Sequence, residues 1–140
     1  MKILFVCQRN NGRSQMAKGL YNKLTGSQDA DAAGVTVDKD GQTLRERANE
    51  PGSEVQKVID VMAEVGVDAL GFRRTQLDIS KLNAYDKVVV ILNPDKVPEE
   101  VKAHPKVEIW DISDPKVKDL DGVRETRDEI EQKIRETLLS

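Results

Sequence analysis

The sequence has few of the residues that form disulfides and metal sites. Its 140 residues include one cysteine, Cys7, and one histidine, His104. A lone cysteine can form neither an internal disulfide nor a cysteine-cluster metal site, so Cys7 is either a free thiol or a buried apolar residue. His104 stands in a polar stretch before Pro105, where we expect a surface position and no cysteine–histidine dyad. We expect no metal ion and no other cofactor.

Long apolar runs are also missing from the chain. No segment approaches the ~18 consecutive apolar residues of a membrane span. The first residues, MKILFVC, are followed by polar residues without the cleavage pattern of a secretory signal. We therefore expect a cytoplasmic location and no membrane partner. The net charge of −3, with both signs interspersed, predicts no nucleic-acid partner, although a small acidic protein can still carry a positive pocket.

The remaining pattern predicts one α/β domain over residues 1–140. Apolar, β-favouring runs predict strands at residues 2–6, near 32–37, at 87–92 and at 106–110. Helical spacing predicts helices after Arg13, at residues 55–65 behind a Ser53–Gln56 capping box, at 77–82 and from Gly122 onward, with a long surface loop before Ser53. This order predicts a three-layer α/β/α fold with a four-stranded parallel sheet, which binds ligands beyond the carboxyl ends of its strands.

The segment CQRNNGRS lies between the first predicted strand and the first predicted helix. Five residues separate Cys7 from Arg13, enough for a loop whose backbone N–H groups turn inward around an anion. Arg13 adds a planar fork that can bind two phosphate oxygens. We expect a positive φ at Gly12 and left-handed geometry at Asn10 or Asn11. The predicted oxyanion loop consists of Gln8, Arg9, Asn10, Asn11, Gly12, Arg13 and Ser14.

Cys7 is the predicted nucleophile of this loop. Inward dipoles and a helix N-terminus favour the thiolate, and Ser14 could donate its hydroxyl to the sulfur. The alternative is a buried cysteine that merely ends a strand. The combination with Arg13 and Gly12 in a strand-to-helix connection favours the nucleophile. Arg9 either aids substrate capture or is a solvated surface charge.

The stretch FVCQRNNGRSQMAKG resembles the signature of the low-molecular-weight protein tyrosine phosphatases and of the arsenate reductases that share their fold. Weaker similarity continues through Ala33-Gly34, Tyr85-Asp86 and residues 127–130. The resemblance implies that Cys7 attacks a tetrahedral oxyanion and that Asp114, which precedes Pro115, is the general acid. By residue pattern alone the Asp-Ile-Ser-Asp-Pro stretch is also typical of a polar turn. Asp111 is a second candidate for the acid.

The resemblance leaves two enzymatic functions open. A phosphatase needs only the nucleophile, the loop and an acid, and it would act on a phosphate monoester, including one on a protein. An arsenate reductase also needs a thiol, here from an external donor or redoxin, since Leu92 stands where thioredoxin-coupled relatives carry a second cysteine. The SQMA helix start resembles the reductases, whereas Lys116 and Val117 replace the aromatic residues usual in tyrosine phosphatases.

The predicted function is a phosphomonoesterase that forms a cysteinyl-phosphate. The arsenate reductase is the alternative, and a non-catalytic oxyanion-binding module is a third. Binding alone would need neither Cys7 nor Asp114, which argues against the third.

Overall fold

The computed structural model describes residues 1–114 and 118–139. Its strands are β1 (Ile3–Cys7), β2 (Ala30–Gly34), β3 (Lys87–Ile91) and β4 (Val107–Trp110). They form a parallel sheet in the order β2-β1-β3-β4, which confirms the predicted four-stranded sheet. All five residues of β1 are buried, as expected for a central strand. Cys7 therefore lies at the carboxyl edge, in the middle of the sheet.

Helices cover both faces of the sheet, as the predicted three layers require. The α-helices are α1 (Arg13–Thr25), α2 (Leu44–Ala48), α3 (Val55–Glu64), α4 (Glu99–Lys102) and α5 (Leu120–Thr137), and 3₁₀ turns span Ile79–Ala84 and Pro94–Lys96. Side chains alternate along β1, so Phe5 packs with α1, α3 and α5. Leu4 and Val6 lie in the opposite cluster, with residues of α4, of the first 3₁₀ turn and of the segment after the second turn. No helix within the described ranges is long and apolar enough to cross a membrane.

The second strand differs from its predicted position near residues 32–37. It spans Ala30–Gly34, and its last residue pairs with Cys7. Beyond Cys7 the first strand curls into the loop, so the regular ladder ends at Gly34. The next amide, of Val35, still donates to the Cys7 carbonyl at 2.9 Å. Tertiary pairing therefore sets the end of β2.

The predicted capping box at Ser53 and Gln56 is wrong. Helix α3 has Glu54 at its N-cap without a side-chain cap bond, and Ser53 Oγ accepts from the Val55 amide only two residues on, at 3.2 Å. The helix begins too late for Ser53 to reach an N3 amide. A capping box does exist at Thr43 and starts α2, within the stretch predicted to be a surface loop.

An ion-pair cluster joins α3 to α5. Glu64 accepts from Arg124 Nε at 2.8 Å and Nη2 at 2.6 Å, and from Arg127 Nη1 at 2.8 Å. These hydrogen bonds, from Arg124 and then Arg127, lower the pKa of Glu64 from 4.5 to about 2. The ionised carboxylate therefore favours the packed arrangement of the two helices above pH 4.5.

Candidate active site

A pocket of about 610 Å³, including its open mouth, lies at the carboxyl edge of the sheet above Cys7. The loop after β1 forms one side of it with Cys7, Arg9, Asn11, Gly12 and Arg13. The other sides come from Arg47, Gly52, Ser53, Glu54, Val55, Val58, Asp114 and Val123. The pocket therefore combines the N-terminal loop with α2, the start of α3, the segment after β4 and the first turn of α5.

The sulfur of Cys7 lies against a hydroxyl group. Cys7 is 2% exposed, and its Sγ is 2.9 Å from Ser14 Oγ. Asn10 Nδ2 donates to the same Oγ at 2.7 Å. Because this amide occupies a lone pair of the hydroxyl, the hydroxyl hydrogen is available to the sulfur. The arrangement suits a thiolate that must first attack and later leave.

Asn10 gives the loop its sharp turn. It is fully buried with a φ of 59°, the one positive φ at a non-glycine residue in the described chain. Its Oδ1 accepts from the Thr75 amide at 2.8 Å and from Gln15 Nε2 at 3.0 Å. These bonds hold a backbone conformation that costs an L-residue free energy.

The expected positive φ at Gly12 is wrong. Gly12 has a φ of −134° and is the N-cap of α1, a position that takes non-helical geometry. The left-handed turn two residues earlier, at Asn10, already reverses the chain. Asn10, and not Asn11, therefore has the left-handed geometry.

Arg13 connects the loop to the segment after β4. The guanidinium is 6% exposed, and its Nη1 donates to the Ile112 carbonyl at 3.1 Å. Its Nη2 lies 3.7 Å from Asp114 Oδ2, and the Asp114 side chain is 53% exposed. The Cys7 thiol, an arginine and a carboxyl group therefore line the same pocket.

The other predicted residues occupy different positions. Gln8 Nε2 donates to Thr36 Oγ1 at 3.5 Å, and Gln8 does not line the pocket. Asn10 and Ser14 do not line the pocket either, and they lie behind the Cys7 sulfur. Asp111 is exposed and does not line the pocket, which separates it from Asp114. The interpretations of Pro115, Lys116 and Val117 concern positions outside the described residues.

His104 and Trp110 take structural positions and do not line the pocket. His104 Nε2 lies 3.1 Å from Asn83 Oδ1, away from Cys7. Trp110 is core, 2% exposed, and its Nε1 donates to Glu108 at 2.6 Å. No cluster of potential metal ligands occurs among the described side chains.

The far wall of the pocket was not predicted from the sequence. Val55, Val58 and Val123 form an apolar surface there, and Arg47 and Glu54 contribute charge. All three valines lie within predicted helices, and helical spacing alone does not show that they face a pocket. Gln15 was missed too, although its Nε2 lies within 3.1 Å of the Asn10 carbonyl and 3.0 Å of the Arg73 carbonyl.

A charged cluster fixes one edge of that wall. Lys39 and Gln42 donate to Glu50 Oε1 at 2.5 and 2.6 Å, and Arg47 Nη1 donates to Oε2. Hydrogen bonds from Lys39, then Gln42 and Arg47, lower the pKa of Glu50 to about 2. Arg47 is thereby held at the pocket by an ionised carboxylate.

The pocket has no aromatic wall. The chain contains two phenylalanines, two tyrosines and one tryptophan, all within the described ranges, and none of them lines the pocket. Phe5, Tyr21 and Trp110 pack together in the core instead. A bound phenyl ring would therefore face valine side chains and charged groups.

Comparisons with known proteins identify the family. The profile described as low molecular weight phosphotyrosine protein phosphatase matches residues 2–140. The chain is 31% identical to the glutaredoxin arsenate reductase of Synechocystis sp., over 95% of this chain and 92% of that protein. Among solved structures, a low molecular weight protein tyrosine phosphatase from T. tengcongensis superposes with a TM-score of 0.77 at 23% identity, covering 99% of this chain and 98% of that one.

An arsenate reductase in the phosphate binding state superposes with a TM-score of 0.72 at 25% identity, covering 97% of this chain and 95% of that one. The fold is therefore common to phosphatases and reductases, as the resemblance implied. The profile match spans almost every residue, including the loop and the segment after β4. The chain belongs to the low-molecular-weight phosphotyrosine protein phosphatase family, and it is an enzyme of the group that also includes these arsenate reductases.

Proposed function

We propose that this enzyme hydrolyses phosphate monoesters through a cysteinyl-phosphate intermediate on Cys7. The observation that carries the proposal is that Cys7, Arg13 and Asp114 line one pocket in a chain with a single thiol. These groups are sufficient for hydrolysis. Reduction of arsenate would require a further thiol that the chain does not contain.

In the first step the Cys7 sulfur attacks phosphorus and the ester P–O bond breaks. Arg13 and the loop amides hold the non-bridging oxygens, and the Asp114 carboxylic acid gives its proton to the departing oxygen. In the second step the Asp114 carboxylate takes a proton from water as the water attacks phosphorus. The P–S bond breaks, and the Ser14 hydroxyl donates to the departing thiolate. Inorganic phosphate is released.

The walls of the pocket support an alkyl phosphate rather than an aryl phosphate as substrate. Aromatic side chains would stack on a phenyl leaving group, and the pocket has none. Val55, Val58 and Val123 suit an aliphatic group instead. The substrate is a small phosphate ester or a phosphorylated protein side chain. We propose that the domain at residues 1–140 carries out this reaction in the cytoplasm, without a metal or other cofactor.

Arsenate reduction is the second candidate, and the names of the relatives favour it. Cys7 would attack arsenate, releasing water or hydroxide, and an external thiol would then attack the Cys7 sulfur. The arsenic leaves as arsenite with the electron pair of the S–As bond, and the two thiols become a mixed disulfide. A second external thiol must reduce this disulfide, so a thiol donor or redoxin is an obligatory partner of this reaction.

One comparison separates the two functions. Phosphate release from an alkyl phosphate and from 4-nitrophenyl phosphate is measured beside arsenite release from arsenate with glutathione and glutaredoxin. The proposal expects phosphate release that vanadate inhibits, and no arsenite above the Cys7→Ala background. Arsenite release without ester hydrolysis would refute the phosphatase and establish the reductase.

A further inference from the structure

A buried arginine lies on the outer side of the oxyanion loop. Arg74 is 0% exposed, and its Nη2 donates to the Arg9 carbonyl at 3.2 Å. Nη1 donates to Gln42 Oε1 at 2.9 Å, and Nη2 lies 2.8 Å from Asp38 Oδ1. The Nε atom is buried and has no hydrogen-bond partner in the described part of the chain. Burial of a guanidinium with an unsatisfied donor is costly, so stability alone is a weak reason for this residue.

The peptide that Arg74 holds is the one that determines the shape of the loop. It joins Arg9 to Asn10, and Asn10 has the left-handed φ of 59°. On the strand side, Gly34 packs so closely that a Cβ there would lie 2.9 Å from the Arg9 carbonyl carbon. Gly34 therefore limits one face of the peptide while Arg74 binds its oxygen. The peptide cannot rotate without losing this bond.

We propose that Arg74 is a positioning residue for oxyanion binding. Its hydrogen bond keeps the Arg9 carbonyl directed away from the anion, since a rotated peptide would turn a carbonyl oxygen, rather than an amide hydrogen, toward the ligand. Its charge also lies behind the loop, and Arg74 does not line the pocket. The inference uses the oxyanion loop of the proposed function, and phosphate binding tests it independently of turnover.

The test measures the affinity of the full chain for inorganic phosphate by titration calorimetry. Arg74→Met removes the hydrogen bonds and the charge, and Arg74→Lys keeps the charge and a donor for the Arg9 carbonyl. The matched control is Arg73→Met. Arg73 is the exposed neighbour, whose Nη1 donates to the Gly41 carbonyl at 2.8 Å, so its loss removes a cation from the same segment without touching the loop carbonyl.

We expect phosphate affinity to fall about 10- to 100-fold in Arg74→Met, since small misplacements of binding groups have effects of this size. Arg73→Met should stay within about twofold of wild type, as an exposed charge is screened. Arg74→Lys should recover most of the lost affinity. Circular dichroism checks that each variant is folded. If Arg74→Met does not fold, Arg74→Leu, a smaller side chain that also removes the charge and the hydrogen bonds, is measured with the same expectation.

Two results would overturn the inference. One is a folded neutral variant that binds phosphate as tightly as Arg73→Met. The other is a folded lysine variant that binds no better than the neutral ones, because that pattern indicates a packing defect rather than a lost donor. If wild type binds phosphate but hydrolyses no ester, the proposed function fails while this comparison still decides the role of Arg74.

Discussion

Replacing Gly34 by alanine would test how tightly β2 packs against the predicted oxyanion loop. A Cβ at this position would lie 2.8 Å from the Asn10 backbone nitrogen and 2.9 Å from the Arg9 carbonyl carbon. Contacts below 3.0 Å are essentially never adopted by real Cβ atoms. Both neighbours are backbone atoms, which have no rotamer to change. Either the loop or the end of β2 must therefore move.

The size of the effect follows from these contacts. Overpacking a well-packed site costs about 1–3 kcal/mol, and rigid backbone neighbours put Gly34→Ala near the upper end. A domain of this length has an unfolding entropy of about 0.3 kcal/mol per kelvin, so a loss of about 3 kcal/mol lowers the melting temperature by about 10 °C. A displaced loop should also weaken phosphate binding by about 10- to 100-fold.

Thermal unfolding and phosphate titration measure the two effects, and Gly71→Ala is the matched control. A Cβ on Gly71 meets nothing within 4 Å, and this glycine does not have a positive φ. Its replacement should therefore leave phosphate affinity unchanged and alter stability by no more than about 1 kcal/mol. If Gly34→Ala melts within about 2 °C of wild type and binds phosphate equally well, the close packing described here is incorrect.

Three further substitutions test other parts of the account. Asp114→Asn should slow the first-turnover cleavage of alkyl phosphates by about 10²- to 10⁴-fold and that of 4-nitrophenyl phosphate less, because a good leaving group needs little protonation. Equal losses in the first-turnover release of the alcohol and of nitrophenolate would indicate a structural role. Ser14→Ala should lower turnover, and it should reduce the free energy of unfolding in urea by about 1–3 kcal/mol, since the buried Asn10 amide loses its acceptor. Unchanged stability would argue against the 2.7 Å hydrogen bond from Asn10 Nδ2 to Ser14 Oγ. Glu64→Gln should lower the free energy of unfolding at pH 7. This difference in stability from wild type should shrink as pH falls from 4.5 toward 2, where the wild-type carboxylate becomes protonated. A stability difference that does not depend on pH would contradict the lowered pKa of Glu64.

The central strands and the loop could be predicted because their signals are local. The apolar run at residues 87–92 corresponds to β3, Lys87–Ile91, and Cys7 ends β1 directly before the loop. The composition of these segments reflects burial between two helical layers. The position of Asp114 followed from topology, because parallel strands present their carboxyl ends at one edge.

The elements that were misplaced or missed depend on tertiary contacts. Strand β2 has the sequence ADAAG, whose residues have low strand propensity, and its pairing with β1 determines its bounds. Helix α2 has five residues, too few for a hydrophobic period. The pocket wall combines α3 with Val123, which lies far away in sequence. The contact of Arg74 with the loop likewise spans 65 residues and has no sequence signature.

The central claim is that the phosphoryl group passes through the sulfur of Cys7. Asp114→Asn should trap this state with 4-nitrophenyl phosphate, since the good leaving group departs without the acid while hydrolysis of the intermediate lacks its base. After rapid acid quenching, mass spectrometry of the Cys7 peptide measures the adduct. The account predicts one phosphoryl group on that peptide, absent from Cys7→Ala, which should also release no phosphate. Ester hydrolysis by Cys7→Ala, or turnover in Asp114→Asn without any adduct on Cys7, would contradict it.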